Sequence, residues 1–222
     1  MISKPHALKA VALCALLASP TLGNNLFVLP TFTGNATASA TVYSGNPLAP
    51  AATFSTASDA FLVLARPTAN AADTKYYVIS RSGSNSLIIL NSGLTPVGTP
   101  LSFGQNVTAA AVTPDGKKLL IVAGNLRIYN TADDSEVRTQ FLDVGLNPND
   151  IAVSQDSTRA FVMSAAGQRI TAVDLTSNQI VGNIPLPGIT QGSAAIGPNG
   201  LLYVTAQSRM LEIDPRPTPF DL

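Results

Sequence analysis

The sequence predicts an all-β fold built from a repeated unit, and three observations predict it. A β-branched or aromatic triplet recurs as Tyr77-Val78-Ile79, Leu120-Ile121-Val122, Phe161-Val162-Met163 and Tyr203-Val204-Thr205, with central residues 43, 41 and 42 positions apart. Turn signals precede three of the triplets: Pro114-Asp115-Gly116, Gln155-Asp156-Ser157 and Pro198-Asn199-Gly200. Asp-Gly and Asn-Gly supply the positive φ that a tight hairpin needs. After Gly23 no apolar stripe of helical period runs for two turns, and Ser, Thr, Asn and Gly separate the apolar runs, which suits short strands. A period of about 42 residues is that of a four-stranded β-propeller blade, so the expected fold is an all-β propeller.

Each unit reads as four strands, A to D, with the triplet as strand B. Strand A lies ahead of each turn, at 109–112, 151–153 and 193–196, and strand C ends in Asn or Asp, at 87–91, 126–130, 170–174 and 210–214. Strand D follows in three units, at 96–103, 136–141 and 179–186. Units near 59–103, 107–142 and 148–187 are thereby complete, the first with a small-residue insertion at 67–73. The unit at 191–214 has strands A to C alone, and segments 26–32, 38–43 and 52–54 make a degenerate unit near 26–56. The expectation is about five blade units, three complete and two partial, in an open or incomplete ring. The tail 215–222 is rich in proline, and Pro215, Pro217 and Pro219 bring no N–H donor to a missing outer strand. Open blade edges invite self-association.

Residues 1–23 read as a secretory signal peptide. Lys4, His6 and Lys9 precede a nine-residue apolar run at 10–18, followed by Ser19, Pro20, Thr21 and Gly23. A membrane span needs about 20 apolar residues, so no transmembrane span is expected and the protein is expected to be secreted to the periplasm, the medium or the cell surface. The chain has 222 residues, 12% of them charged, with 13 Lys+Arg and 13 Asp+Glu. Removing Lys4 and Lys9 leaves 11 basic residues against 13 acidic. That balance lacks the basic footprint of a nucleic-acid partner.

The single Cys14 and the single His6 both lie in the segment to be removed, and the chain has no Trp. The remainder then has no imidazole and no thiol. Ser–His and Cys–His catalysis, zinc and haem sites on those ligands, and disulfides are all excluded. No G-x-S-x-G elbow or Gly-rich phosphate loop is present. The chain is therefore expected to be no enzyme, with no catalytic residue, metal or cofactor.

The stretch 144–154, with Gly145, Pro148, Asp150 and Ile151, then Phe161-Val162-Met163, Ile170 to Asp174 and Ile180-Val181-Gly182-Asn183-Ile184, resembles a YVTN-type β-propeller repeat. Tyr203-Val204-Thr205-Ala206 is one residue from that family's name-giving tetrapeptide. The resemblance is good over 107–214, fair over 61–103 and poor over 26–54, and it departs at Met163-Ser164 and in the short Gly124-Asn125 turn. It implies a propeller in a secreted or surface protein of bacterial or archaeal type, and implies little about activity, since propellers host unrelated functions.

Arg127, Arg169 and Arg209 fall near the start of strand C, and Arg81 in the equivalent turn of an earlier unit. In a propeller the B–C turns and the D–A connections share the channel mouth. There the four guanidinium groups suit an anionic ligand held by forked hydrogen bonds, with Asn106, Asn149 and Gln191 as neutral polar partners. The alternative is that each Arg pairs with a nearby acid or simply solvates an edge. Asp115, Asp156, Asn199, Asn91, Asn130, Asp174 and Asp214 recur with the repeat, and are expected to brace turns through local hydrogen bonds rather than to form a ligand ring. Asn35-Ala36-Thr37 and Asn106-Val107-Thr108 match the N-glycosylation acceptor.

The function expected is a secreted, non-catalytic recognition or scaffold module for a partner protein, a glycan or a small anion. The alternatives are an extracytoplasmic propeller enzyme (a hydrolase, lactonase or dehydrogenase subunit) and an inactive fragment of a longer propeller protein.

Overall fold

Period-2 strands dominate, as the alternation and turn chemistry require. The computed structural model describes residues 25–29, 37–45, 47–57, 59–81, 86–137, 142–189, 191–206 and 209–216. The expected signal peptide, the front strand beyond residue 29, Asn35, and Pro217 and Pro219 lie outside the described residues. The fold is all-β: sixteen strands among the described residues form five small antiparallel sheets. No helix among them is long and apolar enough to cross a membrane.

The chain divides into two compact units, Met1–Val63 with Ala69–Ser102, and Leu64–Thr68 with Phe103–Leu222. In the first unit, β1 (Leu26–Val28), β2 (Thr37–Ser44) and β3 (Ala49–Ala57) form one sheet. Its strand at 49–57 is longer than the expected 52–54. Its residues alternate: Phe27, Ala40, Val42 and Phe54 are buried, while Ser39, Thr53 and Ser55 on the opposite face are exposed. A second sheet contains β4 (Ala60–Ala65), β5 (Tyr76–Ser80) and β6 (Leu87–Leu90). The Phe27 and Tyr76 rings lie 5.1 Å apart, and Asn25 Nδ2 donates to the Tyr76 hydroxyl at 2.9 Å. The insertion at 67–73 contains a single 3-10 turn, Ala71–Asp73, capped by the Asn70 side chain, which accepts from Ala72 N at 3.1 Å.

The second unit holds three sheets: β7 (Ala109–Val112), β8 (Lys118–Ala123) and β9 (Asn125–Asn130); β10 (Asp150–Val153), β11 (Arg159–Ser164), β12 (Arg169–Asp174) and β13 (Gln179–Pro185); and β14 (Ala194–Ile196), β15 (Leu202–Ala206) and β16 (Arg209–Ile213). Successive side chains of a strand point to opposite faces, yet the last five residues of β8 and of β11 are all buried. Both faces of those strands must therefore be covered, as in a stack of sheets. The two apolar clusters show how. Ala109, Leu120, Val122, Leu126 and Ile128 of the third sheet pack on Ile151, Ala160, Val162, Val173 and Leu175 beside them. From the opposite face of the fourth sheet, Ala152, Phe161, Met163, Ile170 and Ala172 pack on Ala194, Leu202, Val204 and Ile213 of the fifth. The first strands follow the same order, with β10 lying between β7 and β14.

Hydrogen bonds repeat with the sheets. The A–B hairpins of the third and fourth sheets are closed alike. Thr113 Oγ1 donates to Asp115 Oδ1 at 2.6 Å and accepts from Lys118 N at 3.0 Å, and Ser154 Oγ does the same with Asp156 at 2.6 Å and Arg159 N at 2.9 Å. The turn residue that must adopt positive φ is Gly116 at 70°, Ser157 at 62° and Gly200 at 78°. Neighbouring hairpins are linked: Asp115 N donates to Ser157 Oγ at 3.0 Å, and Gln155 Nε2 to Gly197 O at 3.1 Å. One sheet further along, the cation opening strand B reaches the end of the next strand C. Lys118 Nζ donates to Leu175 O and to Asn178 Oδ1, and Arg159 Nη1 to Pro215 O at 2.7 Å.

The outer strand is less regular than the repeat suggests. Among the described residues only the fourth sheet has a continuous fourth strand, β13. The expected outer strands at 96–103 and 136–141 are reduced to isolated bridges, Leu90 to Pro96 and Leu87 to Leu101, and Tyr129 to Glu136 and Leu126 to Leu142. In the first case the cause is plain: Pro96 and Pro100 lack donors, and Gly98 turns to φ 69°. Residues 138–141 lie outside the described residues.

Equivalent positions should therefore differ sharply in cost. Ile170 and Met210 occupy the same register position of strand C, opposite Met163 and Thr205, but Ile170 is fully buried and Met210 is 67% exposed. In urea unfolding, Ile170→Ala is expected to cost about 2–5 kcal/mol and Met210→Ala less than about 0.5 kcal/mol.

Candidate functional site

The B–C turns and the D–A connections of the second unit meet at one edge of the sheets. Ser164 Oγ, at the end of β11, donates to Leu146 O, and Thr171 Oγ1 donates to Val144 O at 3.2 Å. Gln168 Oε1 accepts from Gly188 N at 3.1 Å. The packing is tight: a Cβ on Gly145, whose φ is 105°, would come within 2.9 Å of Ser164 and 3.1 Å of Arg169 Nε.

The candidate Arg residues occupy different environments at this edge. Arg169 and Arg209 are the first residues of β12 and β16. Arg169 Nη2 lies 3.8 Å from Asp143 Oδ1, beyond hydrogen-bond reach, and its Nε is buried without a hydrogen-bond partner. Arg209 is exposed. Arg127 sits two residues deeper, opposite Ile121 as the third residue of β9, because the Gly124 turn is short. Its guanidinium lies 3.9 Å from Glu136 and 5.3 Å from the centre of the Phe103 ring. A cation over an aromatic face beside a carboxylate is a structural arrangement, contributing about 0.5–2 kcal/mol where partly desolvated. The neighbouring Tyr129 hydroxyl is pushed above its ordinary range by burial. In the first unit, Arg81 lies 4.3 Å over the Phe61 ring, and its backbone N donates to Asp59 O at 3.3 Å.

The neutral partners divide as well. Asn149 is engaged on both sides of its amide: Nδ2 donates to Gly192 O at 2.8 Å, and Oδ1 accepts from Ala165 N at 3.0 Å. It locks the connection into β10 to the one entering β14, a task shared by Asp150 Oδ2, which accepts from Ala194 N at 2.9 Å. Asn106 and Gln191 are exposed. Within the second acceptor motif, Thr108 Oγ1 donates to Pro148 O at 2.7 Å and so holds two connections together.

The recurring acids and amides brace turns. Asp174 Oδ1 accepts from Thr176 N at 2.9 Å and Ser177 N at 2.7 Å, Asn91 Oδ1 from Thr95 N at 3.0 Å, Asn130 Oδ1 from Ala132 N at 3.0 Å, and Asp214 Oδ1 from Arg216 N at 3.0 Å. Among the described residues no three His, Cys, Asp or Glu side chains converge. At the A–B edge a cleft of about 370 Å³ is lined by Ser154, Asp156, Arg159, Phe161, Ile196 and Arg216. The sequence reading did not single it out. The signal that was available is the cation recurring as Lys75, Lys118 and Arg159 at the head of strand B.

A comparison with known protein families matches none of them, and one with characterised proteins finds no match.

The turn carboxylates tie stability to pH. The Ser154 hydroxyl and the Thr158 amide hold Asp156 below its usual range, and the Ser177 amide does the same for Asp174. Burial alone would raise Asp115, but the Thr113 hydroxyl and Lys117 outweigh it and lower it. A carboxylate depressed in the fold contributes stability above its unfolded pKa and loses it as pH falls through the folded value. The melting temperature is therefore expected to fall as pH drops below about 4, and the D115N/D156N/D174N triple variant should show a shallower fall over the same range.

Proposed function

We propose that this chain is a secreted, non-catalytic β-propeller recognition module, with a repeat of YVTN type, whose B–C/D–A edge takes a small anion or an anionic glycan. The single observation that supports it most is the environment of Arg169. Its guanidinium stands at the meeting of a B–C turn and a D–A connection, backed by the close approach of Gly145, with Asp143 as a loose neighbour at 3.8 Å. A guanidinium so placed offers a forked donor to an incoming carboxylate or sulfate. Arg209 opens the equivalent strand one sheet further along and is exposed.

Stacked three- and four-stranded sheets, first strands side by side, and turns and connections sharing an edge are the features of blades arranged about an axis. Arg127, already occupied by Glu136 and Phe103, and Asn149, already occupied by Gly192 and Ala165, are supports in this reading. Asn106 and Gln191, exposed on connections of the same unit, remain available for ligand contact.

Isothermal titration with sulfate and with a uronic-acid oligosaccharide tests the proposal. Wild-type chain is expected to bind, the R169Q/R209Q variant to bind at least tenfold more weakly, and R127Q to keep its affinity while melting at a lower temperature. Equal binding by wild type and R169Q/R209Q would sink the reading.

A further inference from the structure

The second to fourth sheets share a feature that the fifth lacks among the described residues. In each of them the outward-facing backbone of strand C is met by an outer segment. Leu87 N donates to Leu101 O at 3.2 Å and Leu101 N to Leu87 O at 2.9 Å; Leu126 N donates to Leu142 O at 3.1 Å and Leu142 N to Leu126 O at 3.3 Å. In the fourth sheet Ile170 is paired with Ile184. The outer segment always brings an aliphatic residue opposite the same position, and a second apolar residue two places on: Leu101 and Phe103, Leu142 and Val144, Ile184 and Leu186. All six are buried or nearly so, with Leu101 the least.

In the fifth sheet the position of Leu87, Leu126 and Ile170 is taken by Met210, paired with Thr205. Met210 is 67% exposed. By the shared register, the N–H and C=O groups that point away from β15 are those of Met210 and Glu212. Among the described residues the sheet order ends at β16, and β16 carries no proline that would blunt the edge. The outward face of this sheet is also unlike its equivalents. Thr205 and Glu212 stand where Val122 and Ile128, or Met163 and Ala172, make apolar contact. Leu201 stands where Lys118 and Arg159 reach for a following sheet. That face is suited to water, as in a capping repeat, whereas the edge keeps the backbone groups and the one large apolar side chain of a pairing site.

We propose that β16 is a strand-acceptor site: it binds an extended segment donated by another polypeptide chain, antiparallel to Arg209–Ile213, with an aliphatic residue opposite Met210 and a second apolar residue two positions on. Main-chain hydrogen bonds to Met210 and Glu212 supply the affinity and the two apolar positions supply the selectivity, as in β-augmentation generally. The chain's own three outer segments define the donor's pattern. The residues that follow β16 fit it poorly: between Pro215, Pro217 and Pro219 the positions left to donate are Arg216 and Thr218, and neither is aliphatic. Arg209 is common to β16 and the Arg-lined edge, but the pairing uses the main chain of Met210 and Glu212 and does not depend on anion binding.

The probe is a fluorescent peptide copying residues 179–187, QIVGNIPLP, titrated into the full chain and followed by anisotropy. Saturable binding is expected, at least tenfold weakened when the peptide carries Asp at the positions of Ile184 and Leu186. Glu212→Pro removes an outward N–H without touching the pairing with β15. It should weaken binding at least tenfold while the melting temperature stays within a few degrees. Met210→Asp, at an exposed position, should weaken binding likewise and serves if the proline variant does not fold. R169Q, which leaves β16 unaltered, should bind the peptide as wild type does, which separates this outcome from that of the anion test. No saturable binding by wild-type chain up to millimolar peptide overturns the proposal, whether the slot is then empty or filled by the chain's own residues. Equal binding of the Asp-bearing peptide, or by Met210→Asp, overturns it as well.

Discussion

Everything in the second unit depends on one constraint: its strands have two faces, and both must be kept from water. An antiparallel sheet with one solvated face alternates apolar with polar residues, as the first sheet does with Phe27, Val42 and Phe54 against Ser39, Thr53 and Ser55. Strands β8 and β11 do not alternate. Leu119, Ile121 and Ala123 are as apolar as Leu120 and Val122, and all five are buried. A sheet of that composition has to sit between neighbours, and the fourth sheet does so, sending Val162 one way and Phe161 with Met163 the other. Each sheet-to-sheet contact of this kind removes several aliphatic side chains from water, at roughly 1.5–3 kcal/mol for each one fully buried. This burial sets the sheet spacing to which the hydrogen-bonded hairpins and connections are fitted.

The polar links then act as a register device. Thr113, Asp115 and Lys118, with their counterparts Ser154, Asp156 and Arg159, repeat the same bonds one sheet apart, and a bond from Asp115 N to Ser157 Oγ joins the two hairpins. Each is close to the surface and modest in strength, since an ordinary hydrogen bond contributes about 1 kcal/mol net. Together they fix which turn faces which. The cation at the head of strand B recurs for the same reason: its side chain spans to the carbonyls at the end of the next strand C. Where Leu201 replaces it, the pattern of links stops.

The strands and their period were legible because β-branched triplets and Asp-Gly or Asn-Gly turns are local signals. Strands β7 to β16 follow the expected segments within a few residues. The outer strands were harder to read. The run 96–103 is apolar enough to suggest a strand, but Pro96 and Pro100 remove the donors that would make it continuous. The division into two units left no trace in the period, because it reflects how contacts are shared and not how residues repeat. At the candidate site, spacing alone put Arg127 with Arg169 and Arg209. Gly124 alone separates β8 from β9, where residues 165–168 separate β11 from β12, and the shorter turn carries Arg127 along its strand to Phe103 and Glu136 instead. Asn149 was legible as polar and close to a connection, but its double bond to Gly192 and Ala165 is a tertiary fact.

Residue-resolved native-state hydrogen exchange tests the two-faced stacking most directly. If β8 and β11 are enclosed on both faces and β16 forms an open edge, the amides of Leu120 to Val122 and Phe161 to Met163 exchange only through global unfolding, and those of Met210 and Glu212 exchange orders of magnitude faster. Equal protection of β16 and β11, or fast exchange along β8, would contradict the stacked arrangement.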